Sequence, residues 1–105
     1  MARYRVAVTD EFARALDEAV RRRRDSAGDA GAGELLAAFE GARDAVASFP
    51  NFSPRVGGAG CRWCAVGRYV AVFDVDDEAR AVTMLALMHM SSDWRRRVES
   101  WGGLN

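Results

Sequence analysis

The chain of 105 residues contains no lysine: its fifteen basic residues are all arginine, and fifteen aspartates and glutamates bring the formal net charge to zero. We read the all-arginine set as genomic composition bias. Zero net charge weakens any function that needs a strongly basic nucleic-acid surface, although a local patch can survive it. No apolar run reaches the ~18 residues of a membrane span. The start, Met1-Ala2-Arg3-Tyr4, lacks an apolar signal core. The expected compartment is therefore the cytoplasm, with no membrane partner, and there the two cysteines stay reduced. There is one histidine. P-loop, nucleophile-elbow, GxGxxG and paired-acid motifs are all missing.

Half of the residues are hydrophobic and 29% are charged, the balance of a folded globular chain. The length suits a single domain, 1–105, with one core. The organising stretch is Cys61 to Met90. Two apolar runs, Tyr69–Val75 and Ala81–Met88, flank the polar turn Asp76-Asp77-Glu78-Ala79, and a shorter run, Cys61–Val66, precedes them across Gly67-Arg68. Three strands joined by tight turns form an antiparallel meander.

Upstream, Tyr4, Val6 and Val8 alternate with Arg3, Arg5 and Ala7 as a first strand. Thr9 or Asp10 can cap the helix that follows, whose stripe is Phe12, Ala15, Leu16, Ala19 and Val20. The run Arg21–Arg24 closes that helix, either as a solvated last turn complementing the helix dipole or as an RNA or DNA contact patch. Asp25–Gly33 is expected to be a flexible connector. A second helix from about Glu34 to Ser48 presents Leu35, Phe39, Ala42 and Val46, and Pro50 stops it. After the meander, Ser91 or Ser92 can cap a short last helix carrying Trp94, Val98 and Trp101, ended by Gly102 and Gly103.

Strand, helix, helix, three strands and a short helix give an α+β fold. The expectation is a four-stranded antiparallel sheet with a two-helix hairpin on one face and strand one antiparallel to its neighbour. Strict alternation in the last strand turns Thr83, Leu85 and Leu87 one way and Val82, Met84 and Met88 the other. Both faces are apolar and the hairpin covers only one. The other needs the C-terminal segment, a second copy or a partner chain.

Few residues can carry chemistry. Cys61 and Cys64 form a lone CxxC in strand context, read as core thiols ahead of a redox pair or a metal site that lacks ligands. No metal or other cofactor is implied. His89 ends the longest strand where a loop opens, a place for proton transfer, or simply a structural histidine. Arg55, Arg62, Arg68 and Arg80 lie in or beside the meander and can hold phosphate, or stand as solvated turn and edge arginines. Tyr69 and Phe73 are read first as core.

The order of elements, the helix end Ala47-Ser48-Phe49-Pro50, the segment Gly67-Arg68-Tyr69-Val70-Ala71-Val72-Phe73-Asp74-Val75-Asp76-Asp77 and the strand Ala81–His89 together resemble the RelE/ParE superfamily, toxins of bacterial type II toxin–antitoxin pairs. Gly67 to His89 carries the specificity of the resemblance. His89 matches the superfamily's strand-ending histidine. The usual Tyr-Arg pair is altered: Val70 follows Tyr69, and Arg68 precedes it.

The superfamily divides by target. The RelE-like branch resembles ribosome-dependent mRNA interferases, endoribonucleases that activate a ribose 2′-hydroxyl and stabilise a phosphorane-like state with cations. The ParE-like branch resembles inhibitors of DNA gyrase. The resemblance implies His89 and Arg68 as catalytic residues; Arg55, Arg62 and Arg80, from their place in or beside the meander, are the expected substrate contacts. It implies as partners a cognate antitoxin, the ribosome and mRNA, or else DNA gyrase, in a homodimer or a toxin–antitoxin hetero-oligomer. A toxin-fold protein that acts only as a binding module is the third reading. The antitoxin is expected on the open apolar sheet face and along the tail from Ser91.

Overall fold

The computed structural model describes residues 3–102; Met1, Ala2 and the expected helix stop Gly103 lie outside the described residues. The elements run β1 (Arg5–Val8), α1 (Asp10–Ser48), a 3₁₀ turn (Pro50–Phe52), β2 (Arg62–Val66), β3 (Tyr69–Asp76), β4 (Ala81–His89) and α2 (Trp94–Gly102).

The two expected helices form one helical stretch, α1, broken at Gly28 (φ 70°, ψ −169°). Phe12 and Phe39 lie 27 positions apart, which is ~40 Å in a straight helix, yet their ring centroids are 5.7 Å apart. The arms 10–27 and 29–48 therefore fold back on each other as a hairpin. Gly31 makes the close approach possible: a Cβ there would stand 2.5 Å from Ala27 Cβ and 3.3 Å from the Arg23 carbonyl oxygen. The flexible connector expected at Asp25–Gly33 is corrected. Its small residues continue both arms, Gly31 and Ala32 are buried, and only Gly28 turns the chain.

The sheet order is β1-β4-β3-β2. The meander β2-β3-β4 is antiparallel as expected, but β1 runs parallel to β4, from Arg5↔Ala81 to Val8↔Met84. The sheet is mixed. The reason lies in one missing reversal. β1 has four residues and stops halfway along β4. Thr9 extends the ladder by donating its N–H to the Met84 carbonyl, and its hydroxyl oxygen caps α1 by accepting from the Phe12 N–H. The first arm continues in the direction of β1 toward the His89 end of the sheet. The second arm returns, and the Ala47 carbonyl accepts from Tyr4 N–H at the start of β1.

A bulge corrects the alternation in β4. Val72 pairs with Ala86 and Phe73 with Met84, leaving Leu85 as the extra residue. The bulge shifts the pattern by one, so Val82, Met84 and Leu87 share the face under the hairpin and Met88 packs on the other. The main core joins Phe12, Ala19, Val20, Leu35 and Val46 of α1 to Val66, Ala71, Phe73, Val82, Met84 and Leu87 of the sheet. The apolar part of the second face is covered by the chain itself. Trp94 and Val98 of α2 close over Val70 and Val72, with Val56 and Cys61 from the loop before β2. Burying such side chains contributes roughly 1.5–3 kcal/mol each. The apolar part of the face expected to await an antitoxin is thus already occupied, while Arg5, Ala7, Asp74 and Asp76 remain exposed.

Candidate functional site

Tyr69 and His89 are register partners at one end of β3 and β4. Both arms of α1 pass over this end, and Gly67-Arg68 closes it. The result is a cleft of about 400 Å³ lined by Arg22, Arg23, Glu34, Arg68, Tyr69 and His89, with Leu35 and Ala38 as apolar floor. Gly67, at φ +58°, makes the tight β2–β3 turn that presents Arg68. The Arg68 carbonyl accepts from Met90 N–H at 2.9 Å, which fastens that turn to the end of β4.

The His89 ring is exposed and held from two directions. It meets Tyr69 edge to face, with centroids 5.3 Å apart and planes at 72°. Its Nδ1 accepts from Ser91 N–H at 3.1 Å and lies 2.7 Å from Ser91 Oγ. Ser91 and Ser92, expected as helix caps, turn back on His89 instead: Ser92 N and Oγ both donate to the His89 carbonyl, at 3.0 and 2.6 Å.

The cleft is cationic on balance. Arg22 pairs with Glu18 at 2.7 Å and Arg23 with Glu34 at 3.5 Å, whereas Arg68 makes no ion pair among the described residues. Three guanidiniums thus face two carboxylates in a chain of zero net charge. The pairs are exposed, so each is weak and can open to an incoming anion. Such a site can bind phosphate oxygens, with guanidinium forks and an imidazole directed at one group.

Of the residues singled out in the sequence, the structure brings His89 and Arg68 together. Arg80 stands at the other end of the sheet, where seven steps along β3 amount to roughly 23 Å. It lies over the Tyr4 ring, 5.7 Å from its centroid. Arg62 donates to the Ser53 carbonyl at 2.6 Å, and Arg55 bridges to Arg62. Neither lines the cleft. In the sequence, Arg22 and Arg23 read as a solvated last turn or a contact patch, and Tyr69 reads first as core. The signal was the four-arginine run itself. Its position over the strand ends depends on the first arm continuing the direction of β1, which no local pattern announces.

The CxxC does not form a site. The cysteines are three residues apart in extended chain, so they face opposite ways: Cys61 is buried under α2 and Cys64 packs against the hairpin core. Burial pushes the Cys64 thiol up to about 11 and raises Cys61 as well. Both are free thiols. Elsewhere, Phe49 and Phe52 stack at 5.3 Å and are exposed. No helix among the described residues is long and apolar enough to cross a membrane.

The comparisons agree with this architecture. Residues 6–94 match the family described as ParE toxin of type II toxin–antitoxin system, parDE. Among solved structures, the chain is similar to the archaeal RelE–RelB complex from Pyrococcus horikoshii OT3. The identity is 20% and the TM-score 0.57, over 87% of this chain and 98% of that one. At this identity the likeness concerns the fold. No curated protein matches the chain. With the family match spanning β1 through the start of α2, the chain belongs to the ParE toxin family of type II toxin–antitoxin systems.

Proposed function

We propose that this toxin acts on RNA, cleaving mRNA on the ribosome at the cleft between the α1 hairpin and the Tyr69–His89 end of the sheet. One observation carries the reading: Arg22, Arg23 and Arg68 converge with His89 and Tyr69 on one open cleft. Attack of a ribose 2′-hydroxyl on the adjacent phosphorus builds negative charge on the phosphoryl oxygens, and donors fixed beforehand around that group lower the barrier. The altered Tyr-Arg pair fits the same picture. Val70 is fully buried beneath α2, so a guanidinium at that position would not reach the cleft, whereas Arg68 lines it.

The cognate partner is an antitoxin, in keeping with the family and with the complex in which the similar archaeal fold was solved. A second reading, inhibition of DNA gyrase without cleavage, is the one that resemblance to the ParE-like branch implies, and the family matched is that of ParE toxins. Expression without the antitoxin tests both. Wild type should arrest bacterial growth, and co-expression of the neighbouring antitoxin should relieve the arrest. His89→Ala and Arg68→Ala should each restore growth if the cleft cleaves RNA. Arrest that survives both substitutions, with loss of gyrase supercoiling in a purified assay, would establish the gyrase reading. Normal growth at high wild-type expression would leave a binding module.

A further inference from the structure

We propose that Ser91 is a positioning residue that fixes the proton of neutral His89 on Nε2, so that His89 meets a phosphate oxygen in the cleft as a neutral hydrogen-bond donor and not as a proton carrier. This inference rests on the phosphate-binding reading of the cleft. It follows from the chemistry of one contact. The Ser91 amide nitrogen lies 3.1 Å from His89 Nδ1. A backbone N–H can only donate, whereas a hydroxyl can donate or accept. The hydroxyl at 2.7 Å would suit either tautomer; the amide suits only an unprotonated Nδ1. The proton of the neutral ring is then on Nε2.

The surroundings keep that contact in place. Ser92 N and Oγ hold the His89 carbonyl, and Met90 N–H is held by Arg68. The Tyr69 ring limits rotation from the side. Nε2 has no hydrogen-bond partner among the described residues, and the ring borders the cleft shared with Arg22, Arg23 and Arg68.

The consequence is a division of labour. A neutral imidazole cannot release its remaining proton near neutral pH without becoming an anion. To accept a proton at Nδ1 it would first have to break with the Ser91 amide. It therefore donates Nε2–H to a phosphoryl oxygen and keeps the proton, while the guanidiniums supply the positive charge. The role assigned by resemblance, proton transfer at His89, changes to orientation and charge stabilisation.

Nuclear magnetic resonance of the intact toxin with ¹⁵N-labelled histidine reads the tautomer directly. Near neutral pH, long-range ¹H–¹⁵N couplings should place the proton on Nε2 in wild type and in Ser91→Ala, which keeps the amide. Ser91→Pro, which removes the amide donor, should admit the Nδ1–H form. A short single-stranded RNA made uncleavable by 2′-O-methylation is the binding probe. Its addition should shift the Nε2–H signal. His89→Gln places an amide donor where Nε2 was and should bind this RNA within about threefold of wild type, whereas His89→Ala should lose about tenfold, the range of one hydrogen bond. A wild-type proton on Nδ1, a Ser91→Pro ring still wholly Nε2–H, or equal losses for Gln and Ala would each overturn the proposal. Failure of wild type to bind the RNA at all would instead bring down the phosphate-binding reading, and the donor role with it.

Discussion

Thr9 serves three elements at once. Its N–H continues the β1 ladder onto Met84, its hydroxyl donates to the carbonyl of the bulged residue Leu85 at 3.0 Å, and the same oxygen caps α1 at the Phe12 N–H. Thr9→Val keeps the shape and removes the cap and one partner of the bulge. A loss of about 2 kcal/mol is expected in denaturant unfolding, and a loss below a few tenths would show that water replaces both bonds. At the opposite end of the sheet, the Asp77 carboxylate accepts from Tyr4 OH at 2.6 Å and from Asn51 Nδ2 at 2.9 Å. These bonds hold Asp77 below the usual carboxylate range, led by the Tyr4 bond, and the carboxylate beside it raises the Tyr4 phenol. A depressed carboxyl stabilises the fold above its unfolded value, and that contribution disappears as the pH falls through the folded value. A raised phenol stabilises below ~10 and its contribution is lost above. Tyr4→Phe should therefore flatten the stability profile both in acid and above pH ~10. An unchanged profile would mean that the exposed contact is too well solvated to matter. The thiols give a third check at this scale. With Cys64 pushed up to about 11 by burial, disulfide-exchange reagents should label native protein far more slowly than unfolded protein. Fast labelling of both cysteines in the native state would contradict their placement.

At the scale of elements, the α1 hairpin hangs on Gly28. Its φ and ψ fall in a region essentially confined to glycine. Gly28→Ala should cost about 1–3 kcal/mol and reduce the protection of Arg23 and Glu34 backbone amides in hydrogen exchange. An unaffected protein would show that the turn can be made elsewhere in 25–33. The same turn shows where sequence reading reaches its limit. Helical stripes on both arms, the meander and its turn at Asp76–Ala79 were legible, because each is written in spacing and in polar breaks. The parallel pairing of β1 was not, because it depends on a strand ending after four residues while the helix continues its direction. The Leu85 bulge was not legible either. It adds one residue to an apolar run that reads equally well as unbroken alternation. The candidate site was half legible: His89 and Arg68 fall at adjoining ends of a readable meander, whereas Arg22 and Arg23 reach them only through the hairpin's path. The role of α2 was legible as one of three choices, and Trp94 and Val98 decide it.

At the scale of the whole molecule, α1 covers one face of the sheet, and α2 with the preceding loop covers the Val70–Val72 part of the other. The groups of the candidate site gather at one end of this layered body. They lie where three stretches distant in sequence meet: the arginine run, the β2–β3 turn and the end of β4. A chain with no net charge thereby places three guanidiniums around its single histidine without a basic surface elsewhere being required. The most direct test of that arrangement is a cleavage assay on purified ribosomes programmed with a defined mRNA, with the 5′ ends mapped. Wild type should make cuts that require the ribosome, falling by at least ~10² in His89→Ala and in Arg68→Ala, with both variants folded and still bound by antitoxin. No cleavage by wild type, under conditions where the same preparation arrests growth when expressed, would contradict the RNA-cleavage reading.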